Sequence, residues 1–253
     1  ASPGLIADTA LELGCRSVAF TYNDPVIFAE YAIDTAVACR ERGVAAVAVT
    51  AGYVSPEARR DLFAVMDAAN VDLKGFTDSF YERVTGGKLR PVLDTLSYLA
   101  GTDCWFEITT LLIPGFNDSD EELRAMGRWV MAELGPDVPH HVTAFHPDWR
   151  MRDVPATPPA TLLRAREVLL GEGLHHVYTG NITNRAGEIT YCPGCGQLLI
   201  ERDRYEIVAY ALTPDGACPG CGDRLPGVCD SAPGHFGPRR IPVRLGRSVS
   251  HGL

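Results

Sequence analysis

The sequence predicts an α/β fold: a partial (β/α) barrel of the TIM type, followed by a small module built on four cysteines. Three observations carry this prediction. Short apolar runs alternate with amphipathic helical stretches as far as residue 181. Each apolar run ends in polar residues. Two near-identical turns, Cys192-Pro-Gly-Cys195-Gly and Cys218-Pro-Gly-Cys221-Gly, follow the last alternating segment. Apolar strands alternating with helices imply a parallel sheet covered by helices. A partial or open (β/α) barrel is the natural closure of such a series.

Each element has its own signal. Ser2-Pro3 reads as an N-cap followed by proline at the first helical position. That helix covers 2–13, and Gly14 stops it. A strand over 17–22 precedes a helix over 25–42, which Gly43 ends. An apolar strand over 45–50 leads to a helix over 56–66, capped by Ser55. A strand over 70–73 and a helix over 91–100 follow. The β-branched strand 105–113 is closed by Pro114-Gly115. The helix over 119–134 opens with a capping box of Ser119 and Glu122. A strand over 141–145, a helix over 159–171 and a strand over 176–179 complete six strands and six helices.

In a parallel barrel, chemistry gathers at the C-terminal ends of the strands. Here those ends read Asn23-Asp24-Pro25, Thr50-Ala51-Gly52, Asp72-Leu73-Lys74, Thr109-Thr110, His146-Pro147 and Thr179-Gly180-Asn181. Taken singly they have plain readings. Asn23-Asp24-Pro25 is also a helix-capping turn. Asp72 and Lys74, two apart on one face, also make a structural ion pair. His146 also reads as a core histidine. As a set they favour one binding mouth.

The CPGCG turns place two thiolates on one side of each Gly-rich knuckle. Cys192, Cys195, Cys218 and Cys221 together give the tetrahedral sulfur cage that zinc favours. An iron–sulfur cluster and a pair of disulfides are the alternatives. The 22 residues between Cys195 and Cys218 leave room for a hairpin over 197–212. Cys229 should stay outside a cage that four ligands already fill.

Composition narrows the class. The 253 residues are 46% hydrophobic and carry a net charge of -9, which argues against nucleic acid as the main partner. No apolar run is long enough to span a membrane, and no secretory leader opens the chain. Eight cysteines, four of them at metal spacing, suit a reducing cytoplasm. Only two lysines, Lys74 and Lys88, stand among the basic residues. The division expected is 1–189 for the barrel, 190–229 for the zinc-ribbon-like module, and 230–253 for a disordered basic tail with four arginines against one aspartate.

The segments TYNDPVIFAEYAIDTA, NVDLKGF, TTLLIPGFNDSDEEL, VTAFHPDWRM, VYTGN and TYCPGCGQLLIERD, in this order, resemble the radical S-adenosylmethionine (SAM) superfamily. The likeness is to its members of the pyruvate formate-lyase activating kind, and above all to the radical SAM enzyme of the AmmeMemoRadiSam system. The resemblance implies that Asn23 and Asp24 occupy the place of a Gly-Gly-Glu-Pro motif that binds the SAM amino group. It implies that Asp72 and Lys74 contact SAM or a peptide substrate, and that Thr50, Thr109 and His146 line the cofactor. Lys74 and His146 are the catalytic candidates. Ala51 stands where relatives often carry Asn.

The same resemblance implies a [4Fe–4S] cluster held by a C-x₃-C-x₂-C motif, which this sequence lacks. Its ligands are therefore expected outside this chain, with a first strand and cluster loop preceding Ser2-Pro3. Cys15, Cys39 and Cys104 read as isolated, buried small hydrophobes. The partners implied are SAM and a substrate of unknown kind, with the Memo-like and AMMECR1-like proteins of the same system as candidates. Three rival readings stand beside this one. They are a zinc-ribbon binding scaffold on an inert barrel, a barrel lyase using Lys74 as a Schiff base, and a relative that has lost its cluster. On the truncated-barrel reading, the strand over 17–22 is an exposed edge that invites aggregation.

Overall fold

The computed structural model describes residues 1–234, 240–243 and 245. Six parallel strands form one sheet: β1 (Ser17–Phe20), β2 (Ala45–Thr50), β3 (Ala68–Asp72), β4 (Trp105–Leu112), β5 (His140–Ala144) and β6 (Val177–Gly180). Their order in space is their order in sequence. The sheet is not closed, and β1 and β6 are its edges, as an open barrel requires.

Between the strands run α1 (Pro3–Glu12), α2 (Ala29–Arg40), α3 (Pro56–Phe63), α4 (Asp78–Phe80), α5 (Leu89–Leu99), α6 (Asp120–Glu133) and α7 (Pro159–Gly171). Right-handed crossovers in a sequential sheet lay the helices on one face. Burial follows from that. Phe106, Ile108, Thr110 and Leu112 of β4 are buried, while the alternate residues Trp105, Glu107, Thr109 and Leu111 are half-buried. The first set faces the helices and the second lines the inner face. Leu62, Leu73, Leu96, Leu99, Ile108, Leu123 and Met126 are fully buried in this helix–sheet layer. Each such side chain contributes roughly 1.5–3 kcal/mol.

The helix starts follow their sequence signals, except that the expected capping box is half formed: the Glu122 carboxylate accepts from Phe76 N–H at 2.6 Å instead of from Ser119. Side-chain oxygens of Ser2, Ser55 and Ser119 accept from the backbone N–H of Leu5, Ala58 and Glu122. Each cap stabilises its helix by about 1 kcal/mol. Two other details differ from expectation. Residues 25–28 form a 3₁₀ turn before α2, because proline and the Asp24 cap tighten the entry. A segment after β3 that carries no clear apolar period folds as α4 and runs into a π-helical turn, Tyr81–Thr85. Gly86 stops that turn at φ +72°. Of the three isolated cysteines, Cys39 and Cys104 are buried, but Cys15 is exposed in the turn after α1. The turn that reverses the chain there leaves its side chain in water.

A second, antiparallel sheet follows: β7 (Thr190–Tyr191), β8 (Leu198–Asp203) and β9 (Glu206–Tyr210). The β8–β9 hairpin falls within the expected 197–212. A bridge between Ala217 and Arg224 carries the second knuckle. Most of the expected basic tail lies outside the described residues. Among the described residues, no helix is long and apolar enough to cross a membrane.

Candidate functional site

The polar strand ends meet through specific bonds. Asp24 caps the 3₁₀ turn after β1. Its Oδ1 accepts from Val26 N–H at 3.1 Å and from Thr50 Oγ1 at 2.8 Å, and its Oδ2 accepts from Ala51 N–H at 2.7 Å. One carboxylate thus ties the end of β1 to the end of β2. A carboxylate has about four acceptor positions, so one on Oδ2 is unused among the described residues. Thr50 is buried and accepts from Gly52 N–H at 3.0 Å. Asn23 is exposed in the turn beside Asp24.

At the end of β3, Lys74 Nζ lies 2.7 Å from Asp72 Oδ2. The two side chains are 40% and 33% exposed, so the pair is accessible to a ligand. The backbone beneath it is held rigidly. Lys74 N–H donates to the Tyr81 hydroxyl at 3.1 Å, and Lys74 C=O accepts from Asn117 Nδ2 at 2.7 Å. Asn117 also donates to Leu111 C=O at 2.9 Å and accepts from Ile113 N–H at 2.7 Å. This fully buried side chain joins the ends of β3 and β4. Sequence reasoning counted Pro114-Gly115-Phe116-Asn117-Asp118 among the polar strand ends but gave Asn117 no role of its own. A buried amide with every bond made is legible only once the two strand ends are known to be neighbours. Thr109 is the register partner of Asp72 and stands on the same inner face.

His146 falls on the loop after β5. It is exposed and makes no hydrogen bond among the described residues. The structure therefore links Asp24 with Thr50, and places Asp72, Lys74 and Thr109 together, but it joins His146 to none of them by a bond.

The four-cysteine group is compact. The sulfurs of Cys192, Cys195, Cys218 and Cys221 all lie within 4.8 Å of one another. Cys192 and Cys221 approach to 3.4 Å, and Cys195 and Cys218 to 3.6 Å. A tetrahedron with metal–sulfur arms of about 2.3 Å has edges of about 3.8 Å, so the donor set fits one metal ion. The knuckles repeat bond for bond. Cys192 N–H donates to Gln197 C=O at 2.8 Å, and Cys218 N–H to Asp223 C=O at 2.7 Å. Gly196 and Gly222 close each turn onto its first cysteine at 2.9 Å. Cys229 stands outside the group.

No second group of this kind occurs among the described residues. Cys15 follows α1, Cys39 sits inside α2 and Cys104 precedes β4, so no three cysteines gather at the strand ends. The residues present do not fit an iron–sulfur cluster at that mouth.

The chain thus combines an open, parallel six-stranded α/β sheet with polar strand ends and a following sheet that carries four clustered cysteines. The radical SAM superfamily pattern matches residues 2–126. The chain is 38% identical over 225 residues to the uncharacterized protein MJ0808 of Methanocaldococcus jannaschii, covering 88% of this chain and 67% of that one. It is 30% identical over 109 residues to the 4-hydroxyphenylacetate decarboxylase activating enzyme of Clostridioides difficile. That match covers 42% of this chain and 34% of the enzyme's own length. A crystal structure of a domain of the pyruvate-formate lyase-activating enzyme from Bacteroides vulgatus has the same fold. Its TM-score is 0.57 at 17% identity, over 65% of this chain and 99% of that one. The chain belongs to the radical SAM superfamily, whose members use SAM and an iron–sulfur cluster.

Proposed function

We propose that this chain binds SAM at the strand-end mouth, as part of a radical SAM enzyme of the activating-enzyme kind acting on a substrate still to be found. In that superfamily a [4Fe–4S] cluster would supply the electron that cleaves SAM. The described residues offer that cluster no ligands, so the reading is confined to what they do themselves: bind, orient and shield SAM.

The observation that carries it is the accessible Asp72–Lys74 pair beside Thr109. The amino-acid end of SAM is a zwitterion. A carboxylate and an ammonium side by side offer it a charge-assisted bond of each sign. The unused acceptor position on Asp24 Oδ2 is a second anchor for the SAM ammonium. His146, exposed on the loop after β5, is read as a further residue lining the cofactor. The finer reading is the radical SAM enzyme of the AmmeMemoRadiSam system, with Memo-like or AMMECR1-like proteins as partners. The order of the strand-end segments supports it. On this reading 1–189 is the SAM-binding unit and 190–229 a zinc module.

Calorimetric titration with SAM tests this without turnover. Saturable binding by the chain, weakened at least about tenfold in Lys74→Ala and Asp72→Asn, is expected; tenfold corresponds to about 1.4 kcal/mol. Undetectable binding, or equal affinity in both variants, would refute the assignment.

A further inference from the structure

The inner face of the sheet holds a second polar group, away from the mouth. Glu107 of β4 and His141 of β5 meet there, with His141 Nε2 2.6 Å from Glu107 Oε2. Trp105 Nε1–H donates to the other carboxylate oxygen at 3.4 Å. The His141 ring lies against Tyr178 of β6, with centroids 5.3 Å apart. On Tyr178 rests the guanidinium of Arg202, 5.7 Å from the ring centroid. Arg202 belongs to β8, in the four-cysteine sheet. Its Nη1 donates to Thr190 Oγ1 at 2.8 Å and to Glu188 C=O at 3.2 Å. The Tyr178 hydroxyl meets the same Thr190 oxygen at 2.9 Å.

These groups line a cavity of about 990 Å³ between the inner face and the second sheet. Its volume is that of a small-molecule site. Tyr205 and Tyr210 extend the aromatic wall. None of Asn23, Asp24, Asp72, Lys74, Thr109 or His146 lines it.

The charges are arranged for a ligand rather than for stability alone. Burial pushes the Glu107 carboxyl up, but its bond and charge contact with His141, the Trp105 bond and nearby Arg202 hold it below the ordinary carboxylate range. Glu107 is thus an ionised group already answered by its neighbours. Arg202 uses only Nη1, and His141 only Nε2, among the described residues. Arg202 Nε and Nη2 therefore remain available as donors. Half-buried ions held around empty space add little to folding, because desolvation offsets the attraction. A guanidinium with spare donors beside a compensated carboxylate, in an aromatic wall, suits a planar anion.

We infer that this cavity binds a small aromatic carboxylate, its ring against the wall that His141 and Tyr178 form and its carboxylate on Arg202. The four-cysteine sheet, by supplying Arg202, is then half of a binding site. Thr109 lies two residues along β4 from Glu107, about 6.6 Å nearer the mouth. The cavity therefore shares the inner face of β4 with Thr109. Calling it the enzyme's substrate rests on the proposed SAM role; the binding itself does not.

The test titrates benzoate, benzamide and cyclohexanecarboxylate into the full chain with its cysteine-bound metal, without SAM. Benzoate should bind one to one with a Kd of about 1 mM or tighter. Benzamide and the Arg202→Gln variant should each bind at least about tenfold more weakly, and Arg202→Lys, which keeps the charge, within about threefold of wild type. His141→Asn, a change in the barrel itself, should weaken benzoate without loss of the folded circular-dichroism spectrum. Saturation by benzoate that is equal in Arg202→Gln and His141→Asn, equal affinity for benzamide, or no saturation at all would overturn the inference. SAM binding without benzoate binding would refute this site alone, and the reverse would refute the SAM reading alone.

Discussion

The Thr50 hydroxyl donates to Asp24 Oδ1 at 2.8 Å, across 26 positions of sequence, and so locks the end of β2 to the turn that follows β1. The same carboxylate serves two backbone N–H groups. Asp24→Ala strips three donors of their acceptor at once. It should destabilise the chain by about 1–3 kcal/mol, read as a lower urea midpoint, and weaken SAM binding as well. An unchanged midpoint would mean that water replaces the carboxylate without cost.

Lys74→Ala should behave differently. The Asp72–Lys74 pair is well exposed, and such pairs stabilise folds by about 0–1 kcal/mol. The urea midpoint should barely move while SAM affinity falls. A variant that loses both would make Lys74 a structural residue.

His140 sets a pH dependence. Thr110 Oγ1 donates to Leu73 C=O at 2.8 Å, so it receives the bond from His140 Nε2–H at 2.9 Å, and His140 Nδ1 has no partner. Burial, reinforced by neighbouring His141, pushes the His140 pKa down to about 3. An unfolded histidine titrates near 6.5. Between those values the unfolded chain binds the extra proton. The stabilisation is therefore complete above about pH 6.5 and is lost progressively as pH falls toward 3, by up to about 1.4 kcal/mol per pH unit. His176, pushed down by its own burial, acts in the same direction. Urea midpoints at pH 7.5, 6.5 and 5.5 measure the slope, and His140→Gln should flatten it. An equally steep slope in that variant would place the proton uptake elsewhere.

Metal removal should act on the second sheet. Four thiolates within 4.8 Å repel one another once the ion is gone. Gly227, at φ +98°, packs closely on the Trp105 ring, where a Cβ would lie 3.2 Å from a ring carbon, so the knuckle region is read out by a tryptophan of β4. Chelation should shift Trp105 fluorescence and expose four alkylatable thiols. Metal analysis should find one ion per chain, zinc being expected. Four thiols that alkylate at once in the untreated protein would rule out a bound ion.

The six strands and six long helices were legible because each carries an unbroken apolar period and a terminal Ser, Pro or Gly signal. The α4 segment was not, since its buried pair Phe80 and Tyr81 is too short to show a period. At the mouth, Asp72 and Lys74 were legible from two-residue spacing. Glu107 and His141 were not, although both interrupt apolar strands. Their meeting depends on the β4–β5 register, which pairs Thr109 with His141 and leaves Glu107 within reach by its side chain alone. Long-range register is a property of the packed sheet, and no local pattern encodes it.

Strand order has a consequence for biosynthesis. Because each strand pairs with the one made just before it, the sheet is able to grow as the chain leaves the ribosome, N-terminal units first. The cysteine knuckles emerge after all six strands, and only then does Arg202 reach Tyr178. If the four cysteines take a metal, its capture follows the pairing of the six strands, and a cell short of that metal would accumulate molecules with a paired sheet and an unfinished cavity.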